Sequence, residues 1–186
     1  MRNALLIAMA FCFALLPLSA QAESKEQQRA EIRTTAKSVL NRLYKAQPAA
    51  RGAVAGAAGY GVFSNFGMKI FFAGGGSGHG MVVDNASQKE IFMKMAEIQA
   101  GLGFGAKKYQ VVFVFETQEA LRKFVNSGWE IGAQATAAAI DGKRGAAFQG
   151  AASLAPGVWM YQLTDKGLAA EITAKGTKYY RNDELN

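Results

Sequence analysis

The chain has 186 residues and a formal net charge of +7, from 21 Lys and Arg against 14 Asp and Glu. This length suffices for one domain with an adequate hydrophobic core. The single cysteine, Cys12, lies in an N-terminal segment that we expect to be removed, so the mature chain has no thiol for disulfides, thiolate metal sites or cysteine nucleophiles.

The first 22 residues have the order of a secretory signal peptide. Arg2 precedes an apolar run over residues 4–18, and Ala20-Gln21-Ala22 then supplies a small-residue cleavage site. The run is shorter than the roughly 20 residues that a membrane-spanning helix needs. We therefore predict a signal peptide over residues 1–22, one domain over residues 23–186, and a periplasmic location, in solution or peripheral on a membrane.

The predicted mature chain keeps 20 Lys and Arg against 14 Asp and Glu, a net charge of +6. A basic surplus on an exported protein favours anionic partners such as phospholipid headgroups or lipopolysaccharide phosphates. Nucleic acid is not expected outside the cytoplasm. A modest positive charge also serves solubility alone.

Residues 24–47 are predicted to form an amphipathic helix that ends at Pro48. Its apolar residues recur at three- and four-residue spacing, which is typical of one helix face: Ile32, Ala36, Val39, Leu40, Leu43 and Tyr44. The opposite face is predicted to carry a basic set: Lys25, Arg29, Arg33, Lys37, Arg42 and Lys45. This pattern fits a helix docked on a sheet, or one lying at a membrane interface.

The conformation of residues 49–60, rich in Ala and Gly, is left open. Short apolar runs separated by turn residues then predict strands. The predicted strands are residues 61–64, 68–73, 80–83, 90–100, 111–116, 129–139, 145–153, 158–164 and 168–174. A second helix is expected between a Thr117 cap and Gly128. Together these elements predict an α+β fold with a strongly bent antiparallel sheet or small barrel.

The run from Gly74 to Gly80 contains Gly74, Gly75, Gly76 and Gly78. It lacks the Lys and the following helix of a mononucleotide-binding loop, and Met81-Val82-Val83 excludes the dinucleotide fingerprint. We expect a tight turn joining two strands, with a ligand-facing glycine loop as the alternative. A second glycine pattern, residues 101–105, alternates with apolar residues and predicts close packing or an open ligand surface.

No catalytic constellation is found. His79 is the only histidine, and it lacks the partners of a zinc site. No serine has a nucleophile-elbow setting, and the carboxylates are scattered. We therefore predict no enzyme activity, no metal and no cofactor. Three further basic pairs are present: Lys107-Lys108, Arg122-Lys123 and Lys143-Arg144.

Several motifs in succession resemble one family. The motifs are the run Ala57-Ala58-Gly59-Tyr60-Gly61-Val62-Phe63-Ser64-Asn65, the two glycine segments, Val111-Val112-Phe113-Val114-Phe115, and Lys166-Gly167-Leu168 with Tyr179-Tyr180. They are similar to those of the SYLF lipid-binding domain, a family also described from a yeast actin-binding protein. The chain differs at Asn65, where proline is more usual.

The resemblance implies binding of anionic lipids, often helped by an N-terminal amphipathic segment. It leads to the hypothesis of a non-enzymatic envelope protein that binds anionic phospholipid or a membrane surface. The candidate lipid-binding residues are Arg29, Arg33, Lys37, Arg42, Lys45, Lys107 and Lys108. The alternative is a structural module that binds another envelope protein through a sheet edge.

Overall fold

The structure is a computed structural model that describes residues 24–70, 73–100, 105–131, 148–169 and 176–186. The predicted signal peptide and residues 101–104 of the second glycine pattern lie outside these ranges. So do Lys143-Arg144, residues 145–147 of the strand predicted over 145–153, and most of the strands predicted over 129–139 and 168–174.

Three helices are described: α1 (Lys25–Ala46), α2 (Ala50–Gly56) and α3 (Gln118–Ser127). A capping box begins α1, because the Ser24 side chain accepts from the Gln27 backbone N–H at 3.2 Å and the Gln27 side chain accepts from the Ser24 N–H at 2.9 Å. Thr117 caps α3, and Gly128 follows it with a φ of 68°. Both predicted helices are confirmed, and α2 occupies most of the segment left open.

The described strands are β1 (Gly59–Ile70), β2 (Ala73–Asp84), β3 (Glu90–Ala100), β4 (Gly105–Phe115), β5 (Trp129–Ile131), β6 (Ala152–Ala155), β7 (Val158–Thr164), β8 (Gly167–Leu168) and β9 (Thr177–Arg181). They form one sheet in the order β5-β9-β3-β2-β1-β4-β7-β6, with β8 paired to β7. The pairings between the described strands are antiparallel. The α+β class with a strongly bent antiparallel sheet is confirmed.

Both faces of the sheet are buried. On the face that we call the α1 face, Val39 and Leu43 of α1 pack with Val62, Val112 and other strand residues. On the opposite α3 face, helix α3 packs on a cluster of aromatic rings that includes Phe63, Phe113, Phe115 and Tyr179. Because successive strand residues point to opposite faces, the unbroken apolar run of β4 supplies both cores.

The predicted turn at the glycine run is wrong. Residues 74–80 lie inside β2, which pairs with β1 and with β3 along this stretch. A Cβ at Gly80 would lie 2.3 Å from Phe63 Cδ1, and one at Gly78 would lie 2.9 Å from Met95 Cγ. These two glycines therefore leave room on the α3 face for large side chains of the neighbouring strands, as glycine in a strand interior often does.

Other boundaries also differ. The two strands predicted over residues 61–64 and 68–73 are one strand as far as Ile70, because Asn65 continues the register with Gly78 and with Tyr109. Residues 149–150 form a turn before β6, within the predicted strand over 145–153. The polar C-terminal segment contains β9, which sequence reasoning missed, because its buried positions include Thr177 beside Tyr179.

Candidate functional site

A cleft of about 640 Å³ lies between α1 and the sheet. We call it the α1 cleft. Its helix wall includes Glu31, Ile32 and Ala36, and its floor is formed by β1, β2 and β4. The turn between β7 and β8 closes one side with Thr164 and Asp165.

The floor of this cleft becomes polar where the helix no longer covers the strands. Val62 lies under α1, whereas Ser64, two residues further along β1, pairs in register with His79 and with Gln110. All three residues line the cleft, and His79 is exposed. The cleft therefore joins an apolar wall to a hydrogen-bonding floor.

Arg42 reaches this floor from α1. It donates to the Gln110 side chain, and through Nη2 to the Thr164 backbone oxygen at 2.7 Å. Both acceptors are neutral, so the guanidinium is held in place while its charge stays uncompensated by a described carboxylate. A fixed arginine with donors to spare is well suited to bind a phosphate or carboxylate.

Arg29 and Arg33 lie on the other flank of α1. Arg33 forms ion pairs with Glu26 at 2.9 Å and Glu90 at 2.8 Å, and Arg29 pairs with Glu26 at 3.2 Å. Both guanidinium groups also lie over the ring of Phe92. The charges of Arg29 and Arg33 are balanced at this flank by those of Glu26 and Glu90. Hydrogen bonds from Arg33 and, to a smaller extent, Arg29 lower the pKa of Glu26.

A second, more open cleft of about 450 Å³ lies beside these arginines. Its lining adds Lys89 and Arg181 to Arg29 and Arg33, with Glu90 as the carboxylate. Arg29 and Arg33 therefore line one cleft and Arg42 lines the other. Arg42 lies nine positions after Arg33 and thirteen after Arg29, and at about 100° per residue these two spacings point to opposite sides of the helix.

The remaining predicted cations are scattered. Lys37 and Lys45 are exposed on α1, away from the sheet. Lys108 is exposed on β4 and lines the α1 cleft, whereas the side chain of Lys107 lies outside the described part. Of the predicted lipid-binding residues, the structure brings together Arg42 and Lys108 in one cleft and Arg29 and Arg33 in the other.

The glycine run contributes to the α1 cleft as strand, not as loop. Gly78 and Gly80 line it together with Ser77 and His79. Gly75 is exposed, and an added Cβ would meet nothing closer than the Glu97 backbone oxygen at 3.7 Å. Packing explains Gly78 and Gly80, while Gly75 leaves an open patch of backbone.

A buried polar cluster on the α3 face was missed by sequence reasoning. The Glu97 carboxylate is 3% exposed and accepts hydrogen bonds from the Asn65 amide and from the Tyr109 hydroxyl, the latter at 3.0 Å. The Tyr109 hydroxyl also lies 3.2 Å from Thr177 Oγ1. The sequence does contain a pattern that predicts burial of Glu97, because this residue continues the period-two apolar series Ile91, Met93, Met95 of β3.

Burial changes the acidity of this cluster. Desolvation raises the pKa of the Tyr109 hydroxyl, and the nearby Glu97 carboxylate acts in the same direction. Desolvation likewise raises the pKa of Tyr179, whose hydroxyl has no hydrogen-bond partner among the described atoms. Both tyrosines are therefore neutral at physiological pH and act as hydrogen-bonding groups rather than as bases.

Two searches of the described ranges gave negative results. No helix there has both the length and the apolar composition needed to cross a membrane. In the same part of the chain, no group of three or more His, Cys, Asp or Glu side chains is arranged to hold a metal ion.

Comparison with known proteins gives two matches. Residues 96–186 match the family model Ysc84, described as "Las17-binding protein actin regulator". Over 163 residues the chain is 31% identical to Beta cell expansion factor A of Aeromonas veronii. That alignment covers 88% of this chain but 60% of the relative, so the chain spans less than two thirds of the relative's length.

Proposed function

Since residues 96–186 belong to the Ysc84 family, we propose that the protein is a non-enzymatic binding protein for anionic phospholipid. This family is the SYLF family that the sequence motifs predicted. The observation that carries the proposal is the α1 cleft, where the fixed charge of Arg42 borders an apolar wall. A phospholipid needs both features, since its headgroup is a phosphate and its chains are apolar.

The wall and the charge are adjacent in the structure. Ile32 and Ala36 of α1 and Leu163 of β7 line the same cleft as Arg42 and Lys108. Ile32 and Ala36 keep 9% and 6% of their surface exposed, whereas Leu163 keeps 1%, so the helix side of the cleft offers a narrow apolar edge. This arrangement favours contact with a headgroup and the first carbons of its chains at a membrane surface.

Exposed cations outside the cleft support attachment to a charged surface. Lys37 and Lys45 have no ion pair within the described ranges. Each cation near an anionic membrane contributes about 1 kcal/mol. Several such residues acting with the cleft would give reversible attachment.

The proposal includes export to the cell envelope, because the first 22 residues have the signal-peptide pattern. N-terminal sequencing of the protein recovered from a periplasmic extract should begin at Glu23. Recovery of the chain with Met1 from the cytoplasmic fraction would contradict this part of the proposal.

The lipid proposal is tested by cosedimentation of the chain from Glu23 onward with phosphatidylcholine vesicles, with or without phosphatidylglycerol. We expect binding that requires phosphatidylglycerol and that fades as salt shortens the Debye length from about 10 Å at 0.1 M to about 3 Å at 1 M. Replacing both Arg42 and Lys108 by Gln should weaken it about thirtyfold, from the loss of two cations at about 1 kcal/mol each.

The matched control is the double variant of Arg122 and Lys123 to Gln. These exposed residues lie on α3, over the opposite face of the sheet, and their removal changes the net charge equally. Arg42→Lys keeps the charge but cannot reproduce both hydrogen bonds, so it separates charge from geometry. Equal loss in the two double variants would contradict the cleft assignment, and no binding to any vesicle would favour a protein partner instead.

A further inference from the structure

Helix α1 covers only part of the sheet face on which it packs. Val62, Met81 and Phe92 lie level on β1, β2 and β3, and all three are buried in the core of the α1 face. Two residues further along the strands, His79 lies level with Lys94 and is exposed. From this level onward, every described side chain that β2, β3 and β9 direct to this face is at least partly exposed.

We call this uncovered part of the sheet the open face. Its members point to the same side, because residues that pair directly across an antiparallel sheet share a face. They are Ser77 and His79 of β2, Lys94, Ala96 and Ile98 of β3, Lys178 and Tyr180 of β9, and Lys108 of β4.

The open face carries exposed apolar side chains. Ile98 is 77% exposed, and Tyr180 on the neighbouring strand β9 is exposed as well. The level neighbour of Ile98 on β2 is Gly75, which has no side chain to shield it. A single exposed apolar residue is common on protein surfaces, and it is the charge near Ile98 that indicates the kind of partner.

The open face is basic as well as apolar. Lys94, Lys108 and Lys178 belong to it, whereas none of its residues, as defined within the described ranges, is acidic. The Glu184 carboxylate, which lies outside this face, pairs with Lys94 at 3.1 Å. Apolar side chains next to a surplus of cations are typical of surfaces that bind anionic membranes.

We propose that the open face docks on an anionic lipid bilayer, with the Ile98 side chain inserted among the acyl chains and the lysines at the level of the phosphates. This inference rests on the proposed function and specifies which surface meets the membrane. Ser77, His79 and Lys108 belong both to the open face and to the α1 cleft. Docking on this face therefore brings phospholipid to the mouth of the cleft.

The position of Ile98 along its strand suits a flat partner. It lies six residues beyond Phe92, a distance of about 20 Å along an extended strand. A helix is about 10 Å across, so the part of the sheet directly beside α1 is recessed below the helix. Ile98 lies far enough from α1 to reach a bilayer that the helix would hold away from the sheet beside it.

The test places an environment-sensitive fluorophore at residue 98. The only cysteine of the sequence, Cys12, is absent from the chain that begins at Glu23. Ile98→Cys in that chain therefore supplies a single site for a thiol-reactive nitrobenzoxadiazole label. Asn126→Cys is the matched control, because Asn126 is neutral and exposed on α3, over the opposite face of the sheet.

With phosphatidylglycerol vesicles, we expect the emission of the label at residue 98 to shift to the blue. Lipids that carry a spin label on the acyl chain should quench it. The label at residue 126 should show neither response, because α3 faces away from the bilayer in this orientation.

Unlabelled variants measure how much the open face contributes to binding. Ile98→Ser should weaken partitioning onto phosphatidylglycerol vesicles about tenfold, because the variant has no large apolar side chain to bury. Lys178→Gln should weaken it about fivefold, the equivalent of about 1 kcal/mol for one cation. Lys123→Gln, which removes the same charge from α3, should leave partitioning nearly unchanged.

The outcomes distinguish the two proposals. Cosedimentation that needs phosphatidylglycerol, with neither label responding or with both responding equally, overturns the docking surface and leaves the proposed function standing. A response at residue 98 that needs no vesicles and grows with protein concentration would show that a second copy covers the face, and it also overturns the docking surface. No binding to any vesicle overturns both proposals.

Discussion

At the scale of single residues, the buried carboxylate of Glu97 depends on hydrogen bonds from its neighbours. A carboxylate that is 3% exposed would be costly without partners, and here Asn65 and Tyr109 both donate to it. Asn65 also stands at the position where proline is more usual in the SYLF family. An asparagine at this position donates a hydrogen bond that a proline side chain cannot provide.

At this scale we predict that Tyr109→Phe destabilises the fold by about 1–3 kcal/mol, because Glu97 and Thr177 lose their hydroxyl partner in a buried site. Urea unfolding followed by circular dichroism measures the change. Tyr180→Phe is the control, since Tyr180 is 39% exposed. Equal midpoints for the two variants would show that the hydroxyl of Tyr109 contributes nothing.

At the scale of elements, β2 shows how a glycine-rich run can be a central strand. It pairs on both sides, and its glycines at positions 78 and 80 accommodate Met95 and Phe63 from the adjacent strands. Ser77 and His79, which alternate with these glycines along the strand, are exposed on the α1 face. One strand therefore contributes close packing to one core and polar floor to the cleft.

We predict that Gly80→Ala destabilises the protein by about 1–3 kcal/mol, the usual cost of overpacking. The added methyl group would lie 2.3 Å from both Phe63 Cδ1 and the Val62 backbone oxygen. Gly52→Ala in α2 is a suitable control, because no atom lies within 4 Å of its added Cβ. Thermal melts compare them, and a Gly80→Ala melt as high as that of Gly52→Ala would refute the packing explanation.

At the scale of the whole molecule, the sheet has a core on each face, and both cores contain buried tyrosines. Burial raises the pKa of Tyr161 on the α1 face to about 12, and it raises the pKa values of Tyr109 and Tyr179 on the α3 face. In the unfolded chain these hydroxyl groups ionise near pH 10.

The free energy of unfolding should therefore fall as pH rises above about 10. In that range the unfolded chain loses protons that the folded protein retains, and linkage then makes stability decrease with pH. Urea midpoints between pH 8 and 11 measure the decline. Tyr161→Phe should make it shallower, whereas a midpoint that stays constant up to pH 11 would contradict the assignment.

The sequence determined the elements whose signals are local. Helix α1 follows from its apolar spacing and from Pro48, and α3 follows from the Thr117 cap and from Gly128. The bounds of β3 and β7 agree with the predicted strands because turn residues flank apolar runs there. Together these elements were enough to predict the α+β class.

Tertiary structure decided everything that depends on neighbours distant in the chain. Glycines in β2 form a strand because Phe63 and Met95 need the space, and the basic set of α1 is divided because Arg33 meets Glu90 while Arg42 meets Gln110 and Thr164. The physical reason is the same in each case. Side-chain space and charge compensation depend on cross-strand and helix–sheet contacts, which no local spacing encodes.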